Sequence, residues 1–323
     1  MNREKIADRI YRTFDDAGNV QSLSVLCNEL LAQQTVSWLE LGNAYRALRG
    51  VRLRNVHCRG FSVRLIFNPG RAVNTTASVG PQDIRERPCF LCSSNLPEQQ
   101  KGILYRNKYL ILGNPRPAVP SHLTLASLEH RPQGIVEHAD DFLQIAAELG
   151  ARWTTLYNGP RCGASAPDHL HFQAVPSGLM PIENEINDKK NLLPVNRDHG
   201  IRQYLGIGLG RDVIIIEGEA AHTVRDALCE HLEVLKKKAF PSEEEPMVNI
   251  MGHFNGESWR LLVFPRRAHR PAAFFKEGEE RIVVSPAVME MAGVIVTPME
   301  RDFDRLDAAT IESIYHEVSL KYN

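Results

Sequence analysis

The segment His169-Leu-His-Phe-Gln-Ala-Val175 constrains this chain more than any other stretch of it. Polar and apolar residues alternate from His169 to Ala174, and only a β-strand turns a period of two into two chemically distinct faces. His169, His171 and Gln173 fall on one face; Leu170, Phe172 and Ala174 fall on the other and can pack on a core. Three polar groups in line on an otherwise buried sheet are costly unless they bind something. Just upstream, Gly163-Ala-Ser-Ala-Pro-Asp168 is a small-residue loop whose backbone amides can approach an anion closely. A histidine beside such amides is a candidate nucleophile, because neutral imidazole attacks phosphorus without a further base. The competing reading is a row of satisfied strand polars on an exposed face.

A second pattern is Arg87-Pro-Cys-Phe-Leu-Cys92. Its two-residue spacer lets both thiolates meet one tetrahedral zinc, which would need two more ligands. His130 and His169 stand near predicted strand ends and are the candidates. A redox pair and two unliganded cysteines are the alternatives. A zinc with four protein ligands would be structural, since no position stays open for water.

Length and composition set the frame. A chain of 323 residues suggests two domains. With 38 basic and 39 acidic residues, it lacks the charge expected of a bulk nucleic-acid binder, although a pocket can still be locally positive. The start MNREKIADRI has no apolar core of a signal peptide, and no apolar run is long enough for a membrane helix. Six cysteines are too sparse for a disulfide scaffold. A cytoplasmic protein with reduced thiols is expected.

Residues 1–50 read as mostly helical, with apolar spacing of three to four over 22–33 and 38–48. Residues 51–67 read as strands, followed by the turn Asn68-Pro-Gly-Arg71 and a polar loop to Pro88. One or two strands are predicted in 102–112, a strand over 122–127, a helix over 133–150 stopped by Gly150, and strands over 153–157 and 169–175. Residues 177–200 suit a linker. A second unit follows: a strand at 213–216, a helix over 221–238, and strands around Val248, Leu261 and Val294. His122-Leu-Thr-Leu-Ala-Ser-Leu-Glu-His-Arg-Pro132 echoes Arg260-Leu-Leu-Val-Phe-Pro-Arg-Arg-Ala-His-Arg-Pro271, which suggests a duplication.

Three further features have simpler explanations. His122 and His138 fit a strand start and an exposed helix face. Arg266, Arg267, His269 and Arg270 could bind a second phosphate, but fit a solvated turn better. Gly206-Ile-Gly-Leu-Gly210 lacks the dinucleotide fingerprint.

His169-Leu-His171-Phe-Gln173, with Asn158-Gly and Gly163-Ala-Ser165 upstream, resembles the His-x-His-x-Gln signature of the transferase branch of the histidine triad superfamily. That branch includes galactose-1-phosphate uridylyltransferases, diadenosine tetraphosphate phosphorylases and GDP-L-galactose phosphorylases. Val284-Ser-Pro-Ala-Val-Met-Glu-Met-Ala-Gly293 is similar to the C-terminal region of the last of these. Asn68-Pro-Gly-Arg71 and Arg87-Pro-Cys-Phe-Leu-Cys92 are similar to a bacterial group of the superfamily known only as a domain of unknown function.

The resemblance implies an α+β fold of tandem histidine-triad-like units, with antiparallel sheets flanked by helices. Its divisions would be an N-terminal helical extension over 1–50, a catalytic unit over 51–185 and a degenerate unit over 186–323. His171 would be the nucleophile, with His169 and Gln173 completing the catalytic set. Asn114, Asn158, Gly163, Ser165 and Arg71 would bind substrate. Cys89, Cys92, His130 and His169 would hold zinc. Asp168, inserted between Pro167 and His169, departs from the uridylyltransferase pattern and would cap the strand entry or orient a histidine. The implied activity is nucleotidyl transfer or phosphorolysis on a nucleotide sugar or dinucleoside polyphosphate, with phosphate or a sugar phosphate as acceptor. Gln173 replaces the third histidine of the triad hydrolases and so favours transfer. A hydrolase of the same superfamily and a non-catalytic nucleotide-binding module are the alternatives.

Overall fold

The computed structural model describes residues 3–15, 21–76, 80–198 and 200–321. After a 3-10 turn at Arg3–Arg9 comes β1 (Ile10–Phe14), then α1 (Leu23–Ser37) and α2 (Leu39–Leu48). The strand at β1 is an addition to the mostly helical expectation for this region: its Ile, Tyr, Thr and Phe suit an extended edge, and it pairs parallel to β4 (Gly102–Tyr105). Between them lie β2 (Arg52–His57), β3 (Ser62–Phe67), and two short helices in the segment expected to be loop, α3 (Ala72–Thr75) and α4 (Pro81–Glu86). Pro81 at the first helical position starts α4 where a polar reading saw no periodicity.

The first half continues with β5 (Tyr109–Gly113), β6 (Leu123–Ser127), α5 (Ala139–Leu149), β7 (Trp153–Asn158) and β8 (His171–Pro176). Arg106 and Asn107, both at positive φ, make the tight turn from β4 to β5. Gly150 ends α5 at φ 73°, as its sequence position predicts. The helix begins later than expected, after a 3-10 turn at Val136–His138.

The predicted linker holds α6 (Pro181–Glu185) and the strand β9 (Leu192–Asp198). Leu193 and Val195 stand exposed on this edge strand, which explains its weak signal. The second half continues with β10 (Ile201–Gly206), β11 (Ile214–Gly218), α7 (Ala221–Ala239), β12 (Val248–Phe254) and β13 (Trp259–Pro265). The chain closes with α8 (Val288–Met291), β14 (Val294–Thr297), α9 (Glu300–Arg305) and α10 (Ala308–Val318). Among the described residues, no helix is long and apolar enough to cross a membrane.

Eleven of these strands form one sheet, in the order β1-β4-β5-β6-β8-β7-β12-β13-β11-β10-β9. Leaving β1 aside, each half is a three-stranded meander, a helix and two further strands, and the fifth strand of each lies between the third and the fourth. The register makes the repeat specific. Thr124 pairs with Gln173 as Ile215 pairs with Leu262, and Trp153 pairs with Pro176 as Val248 pairs with Pro265. Gln173 therefore corresponds to Leu262, His171 to Arg260 and Leu156 to Met251. At the centre β7 and β12 pair antiparallel with Leu156 opposite Met251, so a local two-fold passes through that pair.

The duplication is thus real in topology, but the echo that suggested it is not its trace. That echo aligns β6 with β13, a third strand with a fifth.

Helices α1, α5 and α7 cover one sheet face, and Phe172, Leu170 and Ala174 join their core as the alternation predicts. The opposite face of the second half packs on a three-stranded sheet, β14-β3-β2, and on the C-terminal helices.

A buried carboxylate ties the halves together. Glu245 accepts hydrogen bonds from the Tyr157 hydroxyl (2.6 Å) and the Ile135 amide (2.6 Å), both in the first half. Burial raises its pKa from 4.5 to about 7, against those two donors. The folded protein therefore holds a proton that the unfolded chain has lost between pH 4.5 and about 7, and stability falls as pH rises through that window. Glu245→Gln is expected to flatten this dependence, worth on the order of 3 kcal/mol at most. Urea unfolding of both proteins from pH 5 to 8 measures it; parallel profiles would overturn the assignment.

Candidate active site

The strand expected from His169 begins at His171. The preceding residues turn instead, with the His169 amide donating to the Ala166 carbonyl (3.1 Å). This turn separates residues that a continuous strand would put in line. His171 and Gln173 line a cavity of about 510 Å³ on the sheet face away from the helices; His169 is buried beside it. Arg71, Asn114, Asn158, Gly163 and Ser165 line the same cavity. All the residues singled out for substrate thus meet in one place, drawn from four separate segments.

The tautomer of His171 follows from its partner. Nδ1 lies 2.8 Å from the His169 carbonyl, which can only accept, so Nδ1 carries the hydrogen and Nε2 keeps its lone pair. Burial lowers its pKa to about 4, leaving the ring neutral at physiological pH. Gln133 fixes the backbone around it: its Oε1 accepts from the His171 amide (2.8 Å), and its Nε2 donates to the carbonyls of His171 (2.9 Å) and Asn158 (3.0 Å). One side chain thus replaces ladder bonds where β7 and β8 diverge to admit the 159–168 loop.

Gln173 is oriented by His122, a residue the sequence reading assigned to a mere strand start. The Ala118 amide donates to His122 Nδ1 (3.2 Å), so Nε2 carries the hydrogen and donates to Gln173 Oε1 (2.6 Å). The amide NH2 of Gln173 is left to face the cavity. Burial, assisted by nearby Arg71, lowers the His122 pKa to about 4. The signal that could have found His122 is strand register: β6 pairs with β8, and that pairing is invisible in a single sequence.

The other lining residues are held as firmly. Asn158 Oδ1 accepts from Asn249 Nδ2 (2.8 Å) and the Val288 amide (2.8 Å), which leaves its Nδ2 as the donor group. Asn114 uses its amide locally, Nδ2 to Thr124 Oγ1 (3.1 Å) and Oδ1 from the Arg116 amide (2.9 Å). Gly163 has φ 110°, and a Cβ there would come within 2.5 Å of the Ala287 Cβ, so glycine is required on both counts. Arg71 donates through Nη1 to the Arg116 carbonyl (2.6 Å), while its Nε is buried without a partner.

Cys89, Cys92, His130 and His169 form a cluster whose ligand atoms all lie within 4.8 Å of one another, and this cluster could hold a metal ion. Sulfur-to-nitrogen distances of 3.3 Å (Cys89–His169), 3.3 Å (Cys92–His130) and 3.6 Å (Cys92–His169) match the edges of a tetrahedron about an ion some 2.0–2.3 Å from each ligand. His169 Nε2 lies 2.8 Å from the Ser127 carbonyl and donates to it, so Nδ1 is free to ligate. The inserted Asp168 stands 3.7 Å from His130 Nε2 and 3.4 Å from Arg87 Nη2, on the outer side of the cluster.

Residues 30–176 match the family described as a domain of unknown function (DUF4922), and residues 214–323 match the family described as GDPGP1-like, C-terminal domain. No curated protein matched the sequence. Among solved structures, yeast Ap4A phosphorylase superposes with a TM-score of 0.63 at 14% identity, over 93% of this chain and 98% of that one. Its complex with Ap4A superposes with a TM-score of 0.61 at 14% identity, over 91% and 97% of the two chains. The fold is thus that of Ap4A phosphorylase. Within that fold the second half has Arg260 and Leu262 where the first half has His171 and Gln173.

Gln133→Leu is expected to strand three buried backbone groups and cost about 2–5 kcal/mol of stability. Denaturant unfolding checks this; a loss under about 1 kcal/mol would show that water or relaxation replaces the amide.

Proposed function

We propose that the chain is a nucleotidyltransferase or phosphorylase that acts on a nucleotide sugar or dinucleoside polyphosphate through a covalent nucleotidyl-His171 intermediate. One observation carries the reading: a buried neutral imidazole with Nε2 unprotonated shares a cavity with the oriented amide of Gln173. Nε2 of His171 attacks the α-phosphorus, a P–N bond forms, and the P–O bond to the leaving phosphoryl group breaks with its electron pair. An oxygen of phosphate, or of a sugar phosphate, then attacks the same phosphorus and the P–N bond breaks, which regenerates His171. The Gln173 NH2 and the Asn158 Nδ2 hold the non-bridging oxygens as charge builds on them. The amides of the 163–165 loop and the Arg71 guanidinium add donors on the same side.

In this reading residues 51–185 carry the chemistry, residues 186–323 complete the cavity through Ala287, Val288 and Glu290, and residues 1–50 contribute Trp38 and Glu40 to its wall. The cysteines are all free thiols, which fits a reducing cytoplasm. Zinc at Cys89, Cys92, His130 and His169 would supply a structural crosslink that fixes the turn before His171.

Intact-mass measurement after incubation with nucleotide sugars and dinucleoside polyphosphates is expected to show a nucleotidyl adduct. His171→Ala should lose both adduct and turnover, the latter by on the order of a thousandfold or more. Full turnover in that variant would sink the mechanism, and a rate indifferent to added phosphate would make the enzyme a hydrolase.

Elemental analysis is expected to find close to one zinc per chain, and chelation should lower the melting temperature. A content well below one would remove the zinc assignment.

A further inference from the structure

Cys89 and Cys92 are the two ends of one tight turn, closed by the Cys92 amide on the Cys89 carbonyl (3.3 Å). Such a turn keeps its end Cα atoms within about 7 Å, and disulfides span roughly 4.4–6.8 Å. Both sulfurs face a single atom, His169 Nδ1, at 3.3 Å from Cys89 and 3.6 Å from Cys92. Backbone and side chains thus place the two sulfurs within bonding reach after a small contraction of the turn.

Solvent reaches this pair from one side. His130 is half exposed and Cys92 partly exposed, whereas Cys89 and His169 are buried. A small solute therefore meets Cys92 first. Cys27 and Cys162 are sealed in the interior, and Cys58 and Cys229 are the other thiols with some exposure.

The turn is tied to the catalytic cavity at three points. Arg87, Phe90, Leu91 and Asn95, on and beside it, line the cavity wall. Asn95 Nδ2 donates to the Cys89 carbonyl (2.9 Å), and Arg87 Nη2 donates to the Ser165 carbonyl (3.0 Å). His169 is the third tie. Its ring is gripped by the sulfurs at Nδ1 and by the Ser127 carbonyl at Nε2 (2.8 Å), while its own carbonyl fixes the Nδ1 hydrogen of His171 (2.8 Å). Without the sulfurs, a buried ring nitrogen would lack a partner, which burial penalises.

We propose that Cys89 and Cys92 form a peroxide-sensitive switch that closes to a disulfide and withdraws both sulfurs from His169. The Cys92 sulfur attacks a peroxide oxygen, which gives a sulfenic acid and water. The Cys89 sulfur then attacks that sulfur and expels a second water. Two thiols and one peroxide become one disulfide and two waters. A metal ion held by the cluster loses both sulfur ligands and is released. A dithiol reverses the closure by exchange. As the turn contracts, the cavity wall shifts and His169 no longer holds the tautomer of His171. The switch goes beyond the nucleotidyl reading and does not rest on it.

The reduced full chain, isotope-labelled on its histidine nitrogens, is treated with hydrogen peroxide and followed by peptide mass spectrometry and NMR. Two of the six thiols are expected to disappear, with Cys89 and Cys92 joined by a disulfide. Cys58 and Cys229 should oxidise at least about tenfold more slowly. The His171 signals, assigned by their loss in His171→Gln, should lose the Nδ1-protonated pattern in step with the disulfide and regain it with dithiothreitol. Cys92→Ser should form no disulfide, and its His171 signals should not respond to peroxide.

Oxidation that begins at Cys58 or Cys229, a pair that runs on to sulfinic acid, or a disulfide that leaves the His171 signals in place would each overturn the switch. Should Cys92→Ser fail to fold, the wild-type time course decides alone, because disulfide and His171 change must rise together. A failed nucleotide screen would leave the switch standing, and unmoved His171 signals would leave the nucleotidyl reading standing.

Discussion

The antiparallel pairing of β7 with β12 is the constraint on which the rest of the structure depends. Two half-sheets with the same strand order meet there, with Leu156 opposite Met251 on the local two-fold. Each half alone would expose the hydrogen-bonding edge of its fourth strand, and the pairing satisfies both edges at once. It also fixes one register across the molecule. The row Leu112, Thr124, Gln173, Leu156, Met251, Leu262 and Ile215 runs unbroken through seven strands.

That row explains why two like halves yield one site. Every member points to the same sheet face, but the face has two fates. Over the second half, Met251, Leu262 and Ile215 lie under β14, β3 and the C-terminal helices, in a dry core. A glutamine at position 262 would leave an amide buried there without a guaranteed partner, a loss of about 1–3 kcal/mol. Over the first half, Thr124 and Gln173 open on the cavity, where polar groups can meet a ligand. Arg260, in the place of His171, sits at the sheet margin and pairs with Glu217 (2.6 Å). The second half gives this face to a covered core, and through Asn249 and Val288 it also holds Asn158 in place.

Much of this was legible in the sequence, wherever the information was local. The alternation pointed to the strand that runs from His171 and to its faces, the two-residue cysteine spacer pointed to half of the cysteine–histidine cluster, and Gly150 marked the helix end. What was not legible depended on pairing between distant segments. His122 acquires its role only because β6 lies beside β8. Arg266 looks like one of four surface charges until the second half folds around it. Gln133 sits in a segment whose helical pattern was read too far forward, and its real task is to replace backbone bonds beside His171. The turn that takes His169 into the cysteine cluster, with its amide on the Ala166 carbonyl, interrupts a run whose alternation looked continuous.

The chemistry also draws on burial more than on charge. His171 and His122 are both pushed down to about 4, so neither offers a positive charge at physiological pH. What they offer is a fixed hydrogen: His171 gives its Nδ1 hydrogen to a carbonyl and keeps Nε2 bare, and His122 gives its Nε2 hydrogen to Gln173 and turns that amide outward. A protonated ring at either place would lose this, since His171 would have no lone pair and His122 would refuse the Ala118 amide. Low dielectric therefore does two tasks at once: it keeps Nε2 of His171 unprotonated, and it strengthens each neutral donor that faces the cavity. The formal charges that line the cavity are Arg71, Arg87 and Arg116 against Glu40 and Glu290, and burial raises the pKa of Glu290. A chain with a net charge of only -1 can thus carry an excess of basic groups around one cavity.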